Sequence, residues 1–222
     1  MNFNFSHIFP RKNIIPRKIH YCWVGDNKKS PLIERCLESW HRVMPDFEII
    51  EWNETNIPSH LEYCKEGLNR GLWSKVSNFV RLWALFHEGG IYMDTDFEVL
   101  KSLTPLRKHT CFLGFQRKEK HIGWATNGII GAHEGHPFLQ KCMDKTLQIY
   151  MEKGEFILSP HVTTMILQEM GLKFYGFQTV GGVTIYPKEY FYPYSWFENF
   201  SPDCITNNTF AIHHWEGSWR EK

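Results

Sequence analysis

The chain has 222 residues, 42% of them hydrophobic, with 25 Lys and Arg set against 24 Asp and Glu. That length and apolar content support one sizeable core, so one α/β domain over residues 1–222 is expected, with residues 1–16 as an N-terminal extension. A net charge of +1 with interspersed signs excludes the basic footprint of a nucleic-acid binder, and no apolar run approaches the ~18 residues of a membrane span.

KIHYCWVG (18–25) reads as a buried strand ending at Gly25. In PLIERCLESWHRVMP (31–45), Leu32, Ile33, Cys36, Leu37, Trp40 and Val43 or Met44 keep helical spacing. Pro31 suits a first turn and Pro45 stops the helix. FEIIEWN (47–53) is a second strand. Strand, helix, strand at this spacing is a βαβ unit and predicts a parallel sheet. Ligands of such sheets bind beyond the carboxyl ends of the strands. Trp23 is therefore either a ligand-facing ring or an ordinary core tryptophan.

A short helix is expected over 61–70 and a stronger one over 74–90, where Val76, Phe79, Val80, Trp83 and Phe86 share a face. Ser74, Ser77, Asn78 and Arg81 fall within an arc of roughly 100° on that helix. This stripe is either a solvated face or a half-buried polar cluster. Gly89-Gly90 caps the helix and IYMD enters the sheet directly. FEVL continues as a short extended piece, and CFLGFQ (111–116) and NGIIGA (127–132) read as strands. Helices follow over 136–154 and 160–171, each stopped by a glycine, and FAIHHWEGSW (210–219) reads as a strand leaving into a polar, aromatic loop.

Cys22, Cys36, Cys64, Cys111, Cys142 and Cys204 form no CxxC pair and no zinc-finger spacing with histidine. The opening MNFNFSHIFPRKNIIPRK lacks the continuous apolar stretch of a secretory signal, so a cytoplasmic protein with reduced thiols is expected. Arg11, Lys12, Arg17 and Lys18 could touch anionic lipid at the inner face of a membrane, or form a solvated basic tail.

The segment GGIYMDTD (89–96) ends in two carboxylates, Asp94 and Asp96. Like charges this close require a cation between them or a shared proton. If the strand continues, alternation turns both to one side. A pair of carboxylates is a hard-oxygen site suited to Mg²⁺ or Mn²⁺, ions that keep positions for water and phosphate oxygens and so imply a diphosphate ligand. The tail adds His213, His214, Glu216, Ser218 and Trp219 within a few residues. An imidazole or hydroxyl there could complete a metal shell, and an indole N–H could donate to phosphate.

IHYCWVG, SNFVRLWALFHEGGIYMDTD, NGIIGAHEGHPF and AIHHWEGSW together resemble the signature segments of the DXD-containing glycosyltransferases of family 32, from about residue 17 to 219. That group includes capsular and lipopolysaccharide sugar transferases and the yeast initiating mannosyltransferase, and is distantly similar to the clostridial glucosylating toxins. The resemblance implies a GT-A fold, with a Rossmann-like, mostly parallel sheet flanked by helices. It implies retaining, metal-dependent transfer of a hexose from a nucleoside-diphosphate sugar, UDP-linked first and GDP-mannose second, to a saccharide or lipid-linked glycan. By position, Trp23 and Val24 would meet the nucleobase, and Ser77, Asn78, Arg81 and Tyr92 the donor. Asp94 would hold hydroxyls and the metal, Asp96 the metal, with His213 or its rival His214 as a further ligand. Ser218 and Trp219 would close over the diphosphate, and Asn127 would line the acceptor side. One departure stands out: the family usually carries Asp where this chain has Asn78. The amide keeps an acceptor oxygen but loses the charge, which roughly halves a hydrogen bond's strength.

Two other function classes fit parts of the pattern. An aspartyl-phosphate phosphatase also places DxD after an apolar strand, with the first Asp as nucleophile. That motif belongs near a domain's start and before a small-residue turn, whereas here some ninety residues precede it. A non-catalytic nucleotide-sugar binder is kept open by Asn78.

Overall fold

The computed structural model describes residues 14–119 and 123–216. The chain opens with strand β1 (Lys18–Cys22), helix α1 (Pro31–Val43) and strand β2 (Glu48–Trp52). Ser30 caps α1 by accepting from the Ile33 N–H, Pro31 occupies the first turn, and Ile33, Cys36 and Trp40 are buried. β1 and β2 pair in parallel from Lys18 opposite Glu48 to Cys22 opposite Trp52, so the predicted βαβ unit forms.

Helices α2 (Glu62–Asn69) and α3 (Trp73–Glu88) lead into strand β3 (Gly90–Met93), which lies parallel to β1 on its other edge. The two-glycine junction is required by crowding as well as by conformation. Both glycines have positive φ, and a Cβ on Gly90 would sit 2.9 Å from the His20 ring and from the Lys18 carbonyl.

Beyond β3 the chain forms β4 (Phe97–Val99), β5 (Cys111–Arg117), β6 (Trp124–Ala132), α4 (Pro137–Lys153), α5 (Ser159–Glu169), β7 (Gln178–Val180), β8 (Val183–Tyr186) and β9 (Ala211–His213). Seven strands make one sheet in the order β2-β1-β3-β6-β5-β8-β7. Only β6 and β7 run against the rest, so five of the seven share one direction. β4 and β9 pair with each other in a separate two-stranded ladder, bringing His213 opposite Phe97. FEVL and the tail strand thus form one unit, although about a hundred residues separate them.

Apolar clusters cover both faces of the large sheet. One gathers Val76, Phe79 and Val80 of α3 with Leu139 of α4 and Ile166 of α5. The other packs Trp40 of α1 against Phe97, Tyr192 and Ile212. The β7–β8 hairpin, which turns on Gly181-Gly182, extends the sheet beyond β5 in a stretch where no strand is expected from the reading above.

Candidate active site

The condition for both carboxylates to share one side, a strand that continues through the acidic pair, is not met. The strand ends at Met93, and the Phe97 N–H bonds back to the Asp94 carbonyl at 3.1 Å. That turn re-aims the two side chains, so each carboxylate acquires its own set of partners.

Asp94 belongs to a network built on α3 and β6. The Arg81 Nη2 donates to Asp94 Oδ1 at 2.8 Å, and Nη1 donates to Asn127 twice, to its backbone carbonyl at 2.9 Å and to Oδ1 at 3.1 Å. The Arg81 Nε points to the Ser77 carbonyl at 3.4 Å, and the guanidinium lies 4.6 Å from the Tyr92 ring centroid. Arg81 is only 4% exposed, which resolves the polar stripe of α3 in favour of a half-buried cluster. Burial pushes the Asp94 carboxyl above its ordinary range, against the pull of Arg81 and His213. Asp94 Oδ2 makes no hydrogen bond with the described residues and lies against Gly128. A Cβ on Gly128 would come within 2.7 Å of that oxygen and 3.0 Å of the Tyr192 hydroxyl, so glycine keeps the space open.

Asp96 belongs to a network built on the tail. His213 Nε2 lies 3.0 Å from Asp96 Oδ1, and the Glu216 N–H donates to Oδ2 at 3.0 Å. The His214 N–H bonds the Asp96 carbonyl at 3.0 Å. Burial raises the Asp96 carboxyl, but His213 and the Glu216 N–H outweigh it and hold the group below its ordinary range. The Glu216 carboxylate in turn accepts from the Ser30 hydroxyl at 2.6 and 2.8 Å, tying the tail to the N-terminus of α1. Between them Trp215 adopts a left-handed backbone, φ 56°, and its indole N–H donates to the Tyr194 carbonyl at 3.0 Å.

The other residues named from the sequence fall in several places. The His214 ring bonds Glu98 at 2.8 Å, away from Asp96, because alternation along the tail sends neighbours to opposite sides. His213 therefore stands at the acidic pair and His214 does not. Trp23 stands just past the end of β1, with its indole N–H on the Asn27 carbonyl and the Lys29 ammonium 5.1 Å from its ring. Val24 packs against the helix-side core. The Ser77 hydroxyl donates to the Ser74 carbonyl, and the half-buried Asn78 amide makes no hydrogen bond with the described residues. Ser218 and Trp219 lie outside the described residues. Two participants went unnoticed in the sequence. Ser159 donates to Asn127 Oδ1, and Tyr192 accepts from the Ile129 N–H at 3.0 Å. The Ser-Pro at the start of a helix marks Ser159 as a helix-end residue; nothing local marks Tyr192.

Among the described residues no group of three or more His, Cys, Asp or Glu is arranged to hold a metal ion. Two carboxylates nevertheless suit a cation that keeps most of its positions for water and phosphate, and Asp94 Oδ2 is an oxygen without a hydrogen-bond partner among the described residues.

Residues 31–113 match the family described as glycosyltransferase sugar-binding region containing DXD motif, and residues 131–222 match the alpha 1,4-glycosyltransferase conserved region. A mouse lactosylceramide 4-alpha-galactosyltransferase is 33% identical over 63% of this chain and 40% of its own length. A mannosyl phosphorylinositol ceramide synthase of Saccharomyces cerevisiae is 28% identical over 70% of this chain and 40% of its own. The chain thus spans about two fifths of these relatives. The solved PaToxG glycosyltransferase superposes with a TM-score of 0.57 at 18% identity, over 70% of each chain, a likeness of fold. The sheet order, the helices on its faces and the acidic pair just past the carboxyl end of β3 are those of the GT-A architecture, and in sequence the chain is similar to the DXD-containing glycosyltransferases.

Proposed function

We propose that the chain transfers a hexose from a nucleoside-diphosphate sugar to a hydroxyl of a glycan or glycolipid, with a divalent cation and with retention at the anomeric carbon. One observation carries this reading: the buried Arg81 is bonded to Asp94 and Asn127 at once, with Asp96 beside them just past the end of β3. A fixed cation among two carboxylates and an amide suits a ligand that is both polyol and polyanion. Asp94 and Asp96 would hold the divalent ion, Mn²⁺ or Mg²⁺, which neutralises charge on the departing diphosphate.

The chain's own side chains have separable tasks in this scheme. Arg81 fixes Asp94 and Asn127 relative to each other, and His213 with the tail amide fixes Asp96. Apart from the acidic pair, and with the Glu216 carboxylate turned away to Ser30, the described residues of the site are Arg81, Tyr92, Asn127 and His213. None is a further carboxylate for a double displacement of the glycosidase kind. Transfer assisted by the leaving group, with retention, is the reading this supports.

The names of both curated relatives pair a sugar with a ceramide-linked acceptor, which supports a glycolipid acceptor. Among the described residues no helix is long and apolar enough to cross a membrane. The two names differ in the sugar, and UDP-hexose is placed ahead of GDP-mannose as donor. A second reading, a binder with little turnover, is favoured by Asn78, whose amide offers no charge to a sugar hydroxyl. A panel of UDP- and GDP-sugars with Mn²⁺ tests both. A raised melting temperature with metal-dependent release of the nucleoside diphosphate is expected. A shift without release favours the binder, and no shift with any donor overturns the proposal.

A further inference from the structure

Strand β6 breaks step where it passes the site. Leu113 of β5 pairs with Ile130, but the next residue, Gly114, pairs with Thr126. Residues 127–129 are therefore skipped by β5, while Ile129 still faces Met93 of β3 and the Gly128 carbonyl still accepts from Asp94 N–H at 2.8 Å. Such bulges bend a strand and re-aim its side chains. This one is secured from outside the sheet, by the fully buried Tyr192, whose hydroxyl oxygen takes the Ile129 N–H.

The Asn127 side chain at the apex of the bulge has its orientation set by chemistry. Arg81 can only donate, so the atom 3.1 Å from Nη1 is the amide oxygen. Ser159, the first residue of α5, donates to that same oxygen. The amide nitrogen makes no hydrogen bond to the described residues. Asn127 as a whole is only 1% exposed, so this donor sits almost fully buried without a partner among the described residues, and an acceptor from a ligand would satisfy it.

We propose that Ser159 and Tyr192 are positioning residues that hold Asn127 with its oxygen turned inward and its N–H₂ offered to the sugar as a hydrogen-bond donor. The Asn127 oxygen, occupied by two donors, is unavailable as a nucleophile or base. This rests on the reading of the site as a sugar-transfer centre, and it adds which atom of Asn127 meets the substrate and what holds it there.

The test uses the whole chain with Mn²⁺, UDP-galactose and GDP-mannose as donors, and UDP and GDP as sugar-free probes. Wild type inactive on both donors defeats the proposed function itself and is recognised before any variant is made. With an active wild type, Ser159→Ala should lower kcat about tenfold, the scale of one hydrogen bond lost in the transition state, with nucleotide affinity unchanged and Ser159→Thr restoring the rate. Asn127→Asp keeps the inward oxygen for Arg81 and replaces the donor N–H₂ by an acceptor. It should lose at least a hundredfold in kcat, again with UDP or GDP affinity intact. Wild-type kcat in Ser159→Ala, or activity retained in Asn127→Asp, overturns the inference. So does nucleotide affinity falling in step with kcat, because that marks a general collapse of the site.

Discussion

The two carboxylates of the acidic pair are held by different kinds of structure. Asp94 is gripped by a guanidinium that is itself buried, stacked on Tyr92 and bonded into β6. Asp96 is gripped by an imidazole on β9 and a backbone N–H three residues further along the tail. The first set of partners belongs to the sheet and its covering helix, and the second to the chain's last described residues. The arrangement separates two duties. One carboxylate is part of the framework, and the other is adjustable by anything that moves the tail.

Breaking the framework side should have the largest effect. Arg81→Ala would leave a half-buried carboxylate and two Asn127 oxygens without their donor, and stability should fall by about 2–3 kcal/mol in urea unfolding. A loss below 1 kcal/mol would mean that the two sides are equally dispensable. On the tail side, Asp96→Ala should abolish Mn²⁺-dependent donor binding in calorimetry while moving the melting temperature by only a few degrees; unchanged affinity would remove Asp96 from the metal. Tyr192→Phe should cost about 1–2 kcal/mol, the range for a buried N–H left without its acceptor, and should show as lost hydrogen-exchange protection at Ile129.

A titration outside both networks calibrates the comparison. His136 caps α4 through Nδ1, which accepts from the Phe138 N–H, and burial together with His133 lowers its pKa to about 4. The folded chain refuses a proton that the unfolded chain takes up near 6.5. Its contribution is therefore complete above that pH and is lost as pH falls from there towards 4. His136→Asn keeps a capping oxygen, and should shrink the drop in melting temperature between pH 7 and 5. The smallest effect is expected of His214→Ala, which removes the exchange with Glu98 and should leave Mn²⁺-dependent donor binding within twofold of wild type; a larger loss would return His214 to the metal.

Much of the fold was legible because it is local. The apolar spacing of α1 and α3, the proline and glycine punctuation and the βαβ order all act within a few residues, and the elements formed within one to three residues of their expected bounds. The β7–β8 hairpin carried a readable signal too, a Gly-Gly pair between TV and VT, but strands of three and four residues fall short of any periodicity count. The site was less legible. Arg81, Asp94 and Asn127 could each be named, yet the turn at Asp94–Phe97 depends on β4 finding β9 far along the chain. The separation of His213 from His214 depends on the same pairing. Ser159 and Tyr192 reach the site only through tertiary packing, which no spacing in the sequence encodes.

Trp215 sets a limit on how firmly the tail can grip. A bulky residue held at φ 56° costs about 1–3 kcal/mol relative to a relaxed backbone, which its indole contacts and the bonds of His214 and Glu216 to Asp96 offset. Lifting residues 214–216 would release this penalty and set it against the bonds to Asp96, Ser30 and Tyr194 that lifting breaks. Replacing Trp215 by glycine would erase the penalty and the indole anchor together, leaving the tail held by the bonds of His214 and Glu216 alone. The tension at this one peptide therefore sets how readily Asp96 can exchange a protein partner for an ion.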